Sequence, residues 1–248
     1  MILAYLSDIN ESKFKYGHFS DGEKKVLNQA KELMKEYASN FILVRIPNPT
    51  IELVKAKVRE KCLMYDIGYV FYDYIFIGPA LLNEFRGFGV RNDEVLLMMA
   101  TALKDLAVEL NVCVFTSTQV NAKADDNTEI RNEASLAGGR STINKAENGA
   151  LMARPTKVEI EALEPITSKY GIPNLVTDIF KVRSGQWTQV RIWSIVDLGT
   201  MRREDLFITD SSLNIIKDFY DGEEYEVNNW EDEEYSEIQR KVAELNGD

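Results

Sequence analysis

The 248-residue sequence has little of what several enzyme classes require. Its single histidine, His18, excludes multi-histidine metal sites and argues against a serine–histidine triad. Cys62 and Cys113 lie far apart in apolar surroundings and make no metal-ligand spacing. They read as buried thiols of a cytosolic protein. No apolar run reaches the roughly 20 residues that cross a bilayer, so no membrane partner is expected. The start, Met1 to Asp8, carries neither a basic leader nor a long apolar segment and predicts no signal peptide. A phosphate loop is missing as well. Gly17-His18-Phe19-Ser20-Asp21-Gly22-Glu23-Lys24 has the glycine spacing of one but not its Gly-Lys-Ser/Thr ending. No strand precedes it, so it reads as a turn and a helix cap.

What is present suits one large α/β domain, or a domain with an appendage. Apolar residues make up 45% of the chain, enough for a sizeable core. The net charge of −11 is unevenly spread. Residues Asp221 to Asp248 hold 11 acidic side chains against Arg240 and Lys241, a net of −9, which leaves the body at −2. A near-neutral body with basic loops remains compatible with nucleic acid, so the overall acidity decides nothing. The expected domains are 1–210 and an acidic tail, 211–248.

One stretch organises the rest. Gly68 to Gly78 is a glycine-bounded apolar run with Asp73 near its middle. Such a run reads as a strand buried on both faces of a parallel sheet. A bare carboxylate there costs several kcal/mol of desolvation unless something binds it. Two readings stay open: Asp73 is the solvated end of the strand, or it holds a hydrated Mg²⁺ for a nucleotide at the sheet's carboxyl edge.

Around this strand the pattern predicts further elements. Met1–Ile9 reads as the end of a helix, and Ser20-Asp21-Gly22-Glu23 is a capping box for a helix to about Tyr37. Phe41–Ile46 reads as a short strand stopped by Pro47-Asn48-Pro49, after which Thr50 caps a helix over Ile51–Met64. Asn83–Arg91 reads as a loop. Over Asp93–Leu110, Val95, Met99, Leu103, Leu106 and Leu110 recur at helical steps and form a core-facing stripe. Val112–Thr116 follows as a buried strand with Ser117-Thr118-Gln119 at its carboxyl end. Strand, helix, strand makes a βαβ unit, which places ligands at the carboxyl ends. Asn121–Arg140 is polar. Gly149–Ala153 reads as a strand and Pro155–Asn174 as a helix with a surface excursion. By pattern, Leu175–Val182 and Gln189–Val196 read as a hairpin pair and Asp205–Thr209 as a last strand.

Five blocks in one order carry a resemblance. They are Asp73-Tyr74 after its apolar run, Leu103 to Val112, Thr116-Ser117-Thr118-Gln119-Val120-Asn121, Leu136 to Gly149, and Lys181-Val182-Arg183-Ser184-Gly185. Together they resemble the carboxyl-terminal motor domain of DnaB-type replicative helicases, in its phage and Firmicute forms. The resemblance implies a RecA-like α/β fold: a mostly parallel sheet flanked by helices, with a hairpin-rich carboxyl-terminal part. It also implies a ring, a hexamer in this family, with ATP between subunits and single-stranded DNA in the centre. Asp73 would then hold Mg²⁺, and Gln119 would sense the γ-phosphate. Lys181 and Arg183 would reach the neighbouring subunit's nucleotide, with Arg183 as the finger that neutralises transition-state charge. Gly138, Gly139, Arg140 and Lys145 would meet the DNA. A helicase loader or primase would be a further partner, and the cytoplasm of a bacterial or phage-infected cell the location.

The family's phosphate loop and catalytic glutamate fall before the position that matches Met1. The 248 residues therefore resemble the latter two-thirds of a motor domain, expected to be inactive alone. A complementing chain would have to bring the phosphate loop. Two other functions stay open: a non-catalytic RecA-like subunit that binds DNA or a helicase ring, and a RecA-type ATPase outside replication. Each site residue also has a plainer reading, with Gln119 a loop amide, Lys181 and Arg183 a solvated strand edge, and Gly138-Gly139 an ordinary turn.

The tail generates a prediction of its own. Its charge repels DNA over about 10 Å at 0.1 M salt. Deleting Asp221 to Asp248 is expected to tighten non-specific single-strand binding, mostly at low ionic strength. Fluorescence anisotropy across a salt series checks this, and an unchanged affinity would rule out an autoinhibitory tail.

Overall fold

The computed structural model describes residues 1–119, 143–185 and 187–219. The chain divides into two compact units, Met1–Gly149 with Asp197–Arg202, and Ala150–Val196 with Arg203–Asp248.

In the first unit, helices α1 (Ile2–Ser7), α2 (Glu11–Tyr16) and α3 (Asp21–Glu36) come first. The capping box at α3 forms as the sequence predicts: the Ser20 amide donates to the Glu23 carboxylate at 2.8 Å, and the Glu23 amide donates to Ser20 Oγ at 3.3 Å. Lys13 also pairs with Glu23, and these bonds hold the Glu23 carboxyl at a pKa of about 2. Helix α4 (Ile51–Met64) starts at Thr50, whose hydroxyl accepts from the Leu53 amide at 3.2 Å. The short helix α5 (Pro79–Glu84) lies mostly before the stretch predicted as a loop and overlaps it at Asn83 and Glu84. Helix α6 (Asn92–Leu110) ends at Asn111, which takes the left-handed conformation at φ 51°.

Strands β1 (Tyr69–Tyr72) and β2 (Cys113–Thr116) pair in parallel, Tyr69 opposite Cys113 and Tyr72 opposite Thr116. The predicted βαβ unit is thus present. One face of this pair carries Tyr72 and Val114 into a core built from Val54, Ile75, Leu81, Val95, Leu96, Met99 and Leu103. Leu106 of the same α6 stripe is fully buried. Outside that core, Arg59 of α4 holds Glu109 of α6 through two bonds of 2.7 and 2.6 Å. The arginine keeps the Glu109 carboxyl below its ordinary range. Both side chains are exposed, so the pair contributes at most about 1 kcal/mol.

Four expectations need correction. The central strand is not buried on both faces: Tyr69 and Phe71 are 69% and 74% exposed, and the regular ladder ends at Tyr72. The second strand is open on the same side, with Phe115 and Cys113 exposed. An apolar run reports what a strand prefers, while burial needs a second layer, and among the described residues only one face has it. Phe41–Ile46 takes no regular secondary structure and joins no ladder among the described residues, and Leu43 is fully exposed. Neither cysteine is a buried thiol, for Cys62 is half-buried and Cys113 exposed.

The second unit contains a five-stranded sheet in the order β3 (Asn148–Ala153), β4 (Leu175–Val182), β5 (Val190–Asp197), β6 (Arg202–Asp210), β7 (Ile215–Asp218). Strand β7 goes beyond the sequence expectation. Strands β4 and β5 pair antiparallel, as the hairpin pattern predicts. Helices α7 (Lys157–Ala162) and α8 (Glu164–Tyr170) occupy the predicted helical excursion. Leu163, Ile166, Val176, Trp193, Leu206 and Phe207 form the core. Within it the Trp193 indole donates to Thr209 Oγ1 at 2.9 Å, which satisfies its one polar atom. No described helix is long and apolar enough to cross a membrane.

The α6 stripe supports the only face of β1 and β2 that is covered among the described residues. Leu103→Ala is therefore expected to cost about 2–5 kcal/mol. Residues 1–149 and 197–202, which make up the first unit, contain no tryptophan. The loss is best read by urea titration followed in the far-ultraviolet dichroism; a change below about 1 kcal/mol would show that the stripe is not the support.

Candidate functional site

The parallel register brings two of the predicted residues to one place. Tyr72 lies opposite Thr116, so the chain leaves both strands at the same carboxyl edge. Asp73 follows at once on β1 and is exposed, which favours the solvated-end geometry over a carboxylate inside the sheet. The crossing is tied by two bonds. The Ile75 amide donates to the Ser117 carbonyl at 2.9 Å, and Thr116 Oγ1 donates to the Tyr72 carbonyl at 2.8 Å. Beyond them Gln119 Nε2 donates to the Tyr74 hydroxyl at 3.3 Å. The edge thus presents a carboxylate, two hydroxyls, a carboxamide and a phenol within two adjoining chain crossings. Behind it the Tyr72 phenol is pushed up in pKa by burial and stays neutral.

Tyr74 is the residue that sequence reasoning left without a role, although it stands in the same Asp73-Tyr74 pair. Its signal was present: a phenol directly after the candidate carboxylate can reach across to the neighbouring strand's exit. The described residues contain no cluster of three or more metal-ligating side chains. That is compatible with Mg²⁺, which keeps several waters and needs only one or two carboxylates beside substrate phosphates. Asp73 meets that requirement by chemistry and exposure.

Lys145 lies exposed in the turn that leads into β3. The same stretch is held to α6 by the Lys104–Glu147 ion pair, which sequence reasoning also missed. Gly138, Gly139 and Arg140 lie outside the described residues. Lys181 and Arg183 belong to the second unit. Lys181 is half-buried near the end of β4, and Arg183 follows the strand's last residue and is exposed.

A family description, the DnaB-like helicase C-terminal domain, matches residues 1–202. The chain belongs to this family. It is a replicative helicase family, and membership settles the class of the fold and of the domain. The SPbeta prophage-derived uncharacterized protein YorI of Bacillus subtilis (strain 168) is 26% identical over 224 residues. That match takes in 87% of this chain and 44% of YorI. A solved ATPase domain superposes with a TM-score of 0.64 at 16% identity, covering 83% of this chain and 68% of that one. A DnaB-like replicative helicase, solved in a study of its interactions with primase, gives a TM-score of 0.61 at 15% identity. There the coverage is 82% of this chain and 46% of that one. The chain therefore spans less than half the length of YorI and of that helicase. The two structural likenesses show the RecA-like fold.

Asp73 is exposed and closes no internal bond among those described, so it carries no stability role. Asp73→Asn is expected to shift the unfolding midpoint by no more than about 0.5 kcal/mol. A loss above about 1 kcal/mol in the same titration would make the carboxylate structural instead.

Proposed function

We propose that residues 1–210 are part of an ATP-driven motor that moves along single-stranded DNA and unwinds duplex. The single observation that carries this reading is the shared carboxyl edge, where Asp73 and the Tyr74–Gln119 contact stand side by side on a family-matched chain. Parallel α/β sheets bind ligands at such an edge. In this reading Asp73 would be the residue that holds the Mg²⁺ accompanying a nucleotide. Mg²⁺ supplies neutralisation of the developing phosphate charge. The Gln119 amide already uses one proton on Tyr74, so a phosphate arriving at Gln119 competes with the phenol. That competition passes the state of the nucleotide to the residues that follow Gln119, which include Gly138, Gly139, Arg140 and Lys145, the DNA-facing set.

Lys181 and Arg183 act across a subunit boundary in a ring, on the neighbour's nucleotide. Arginine suits that task because its charge does not titrate and its planar fork spans two phosphate oxygens. A loader or primase as further partner, hexameric assembly and a cytoplasmic location belong to the same proposal.

One observation favours a second reading. Nowhere in the 248 residues is there a Gly-x-x-x-x-Gly-Lys-Ser/Thr sequence. A non-catalytic RecA-like subunit that binds DNA or a helicase ring is the function that fits these residues acting alone.

The two readings separate on one experiment. Residues 1–248 alone are expected to show no ATP turnover above a no-enzyme control. Completed with a phosphate-loop segment, the assembly should hydrolyse ATP. Arg183→Ala should then lower the rate strongly, with about 10³–10⁵ as the range known for arginine fingers in GTPases. Mixing Arg183→Ala subunits with phosphate-loop mutants should restore part of the rate, because some interfaces then pair an intact finger with an intact loop. Near-normal turnover by the single mutant would leave Arg183 a solvated strand end.

A further inference from the structure

Tyr74 and Gln119 meet where β1 and β2 leave the sheet. The phenol oxygen accepts from Gln119 Nε2 at 3.3 Å, a single bond between two neutral groups. The fold fixes how far apart the two residues start. On one side of the crossing the Ile75 amide donates to the Ser117 carbonyl at 2.9 Å, and on the other Thr116 Oγ1 donates to the Tyr72 carbonyl at 2.8 Å. The Tyr74 ring is backed by Phe76, with centroids 5.7 Å apart and planes tilted by 52°. Phe76 lies close over Gly78 in turn, where an added Cβ would stand 3.0 Å from its ring. The half-buried phenol is thus a fixed acceptor. Gln119 is exposed, and among the described residues that one bond holds its side chain.

The size of the bond decides what it can do. One neutral hydrogen bond shifts an equilibrium by roughly a factor of 2–10. A bond from the same amide to an anionic phosphate oxygen is about twice as strong in free energy. The phenol therefore keeps Gln119 while no phosphate is near and gives it up when one arrives. An ion pair in its place would lock the side chain, and no tie at all would leave it turning among rotamers. A ligand that needs a side chain held elsewhere binds more weakly, by the fraction of molecules in which that side chain is released. The Tyr74 bond thus weakens the grip on phosphate by about the same factor of 2–10.

We propose that Tyr74 is a positioning residue that parks Gln119 and so sets the nucleotide concentration at which the carboxamide engages phosphate. The inference rests on the motor reading for the phosphate, but not for the contact itself. Adjacent residues then have opposite tasks at one edge: Asp73 attracts the nucleotide's cation, and Tyr74 restrains the group that reads its phosphate. Tyr74→Phe keeps the ring and its packing on Phe76 and removes only the acceptor. Gln119 is then released more of the time, and affinity for nucleotide rises. A contact that merely supported the fold would give the opposite sign, because its loss would loosen the site and weaken binding.

The experiment has two arms. In the first, the full chain carries isotope-labelled glutamine, and its five glutamines keep the side-chain amide spectrum resolvable. The Gln119 signals are assigned by their loss in Gln119→Ala. Tyr74→Phe, or Tyr74→Leu if the first variant fails to fold, is expected to move the Gln119 signals and leave the other four pairs in place. Unmoved Gln119 signals overturn the proposal. In the second arm the full chain is completed with a phosphate-loop segment, and the probe is ATP with Mg²⁺ in equilibrium binding. Tyr74→Phe is expected to tighten Kd about 2–10-fold. In a Gln119→Ala background the same change is expected to do nothing, because the phenol acts only through the carboxamide. Unchanged or weaker affinity, or an equal gain without Gln119, overturns the proposal. An assembly that neither binds nor hydrolyses ATP in any version removes the motor reading, and the parking role with it.

Discussion

Everything at the candidate site depends on the parallel pairing of two four-residue strands, and that pairing depends on α6. Parallel strands so short do not hold together by their backbone bonds alone. The stripe of Val95, Met99, Leu103 and Leu106 gives Tyr72 and Val114 a surface to pack on. The register then follows, because a slip by one residue would turn Phe71 into the core and Tyr72 out of it. With the register fixed, Asp73 and Ser117 emerge together, and Gln119 comes within reach of Tyr74. The chemistry at the edge is thus a consequence of helix packing one layer below it.

The second unit solves a different problem, how to hold a cationic strand end steady. Strand β4 is most buried in its first half, where Val176, Thr177 and Asp178 are nearly inaccessible. Asp178 pairs with Arg191 at 3.1 Å, and Arg191 also reaches Glu159 at 3.4 Å. Removing one member of such a buried group would strand the other charges. The far half of the strand is less buried and leads to Lys181 and Arg183. The observed pattern is a gradient along the strand more than the strict alternation that period-two reasoning expects. A rigid stem with an exposed tip is what a residue acting on another molecule requires.

How much of this was legible in the chain varies with the kind of information each feature needs. Helix α4 runs from Ile51 to Met64 as expected, because Thr50 and the prolines before it act locally. The α6 stripe and the β4–β5 pairing were readable for the same reason, since periodicity is local. The Thr156–Glu159 capping box that opens α7 was equally readable and went unread. Burial was not legible at Phe71, Phe115 or Leu43, because it depends on which layers surround a strand. Asp73 shows both sides at once. Its position at a strand end was visible, but the desolvation argument assumed surroundings that the described residues do not provide. The Gln119–Tyr74 contact could not be derived before the register was known.

The open face and the exposed carboxylate are two aspects of one condition. At 4 Å, two unit charges interact by about 1 kcal/mol in bulk water and by about 4 kcal/mol at the effective dielectric of a protein surface. An exposed Asp73 would therefore attract a cation only weakly, and excluding water from the edge would strengthen the same carboxylate without moving it.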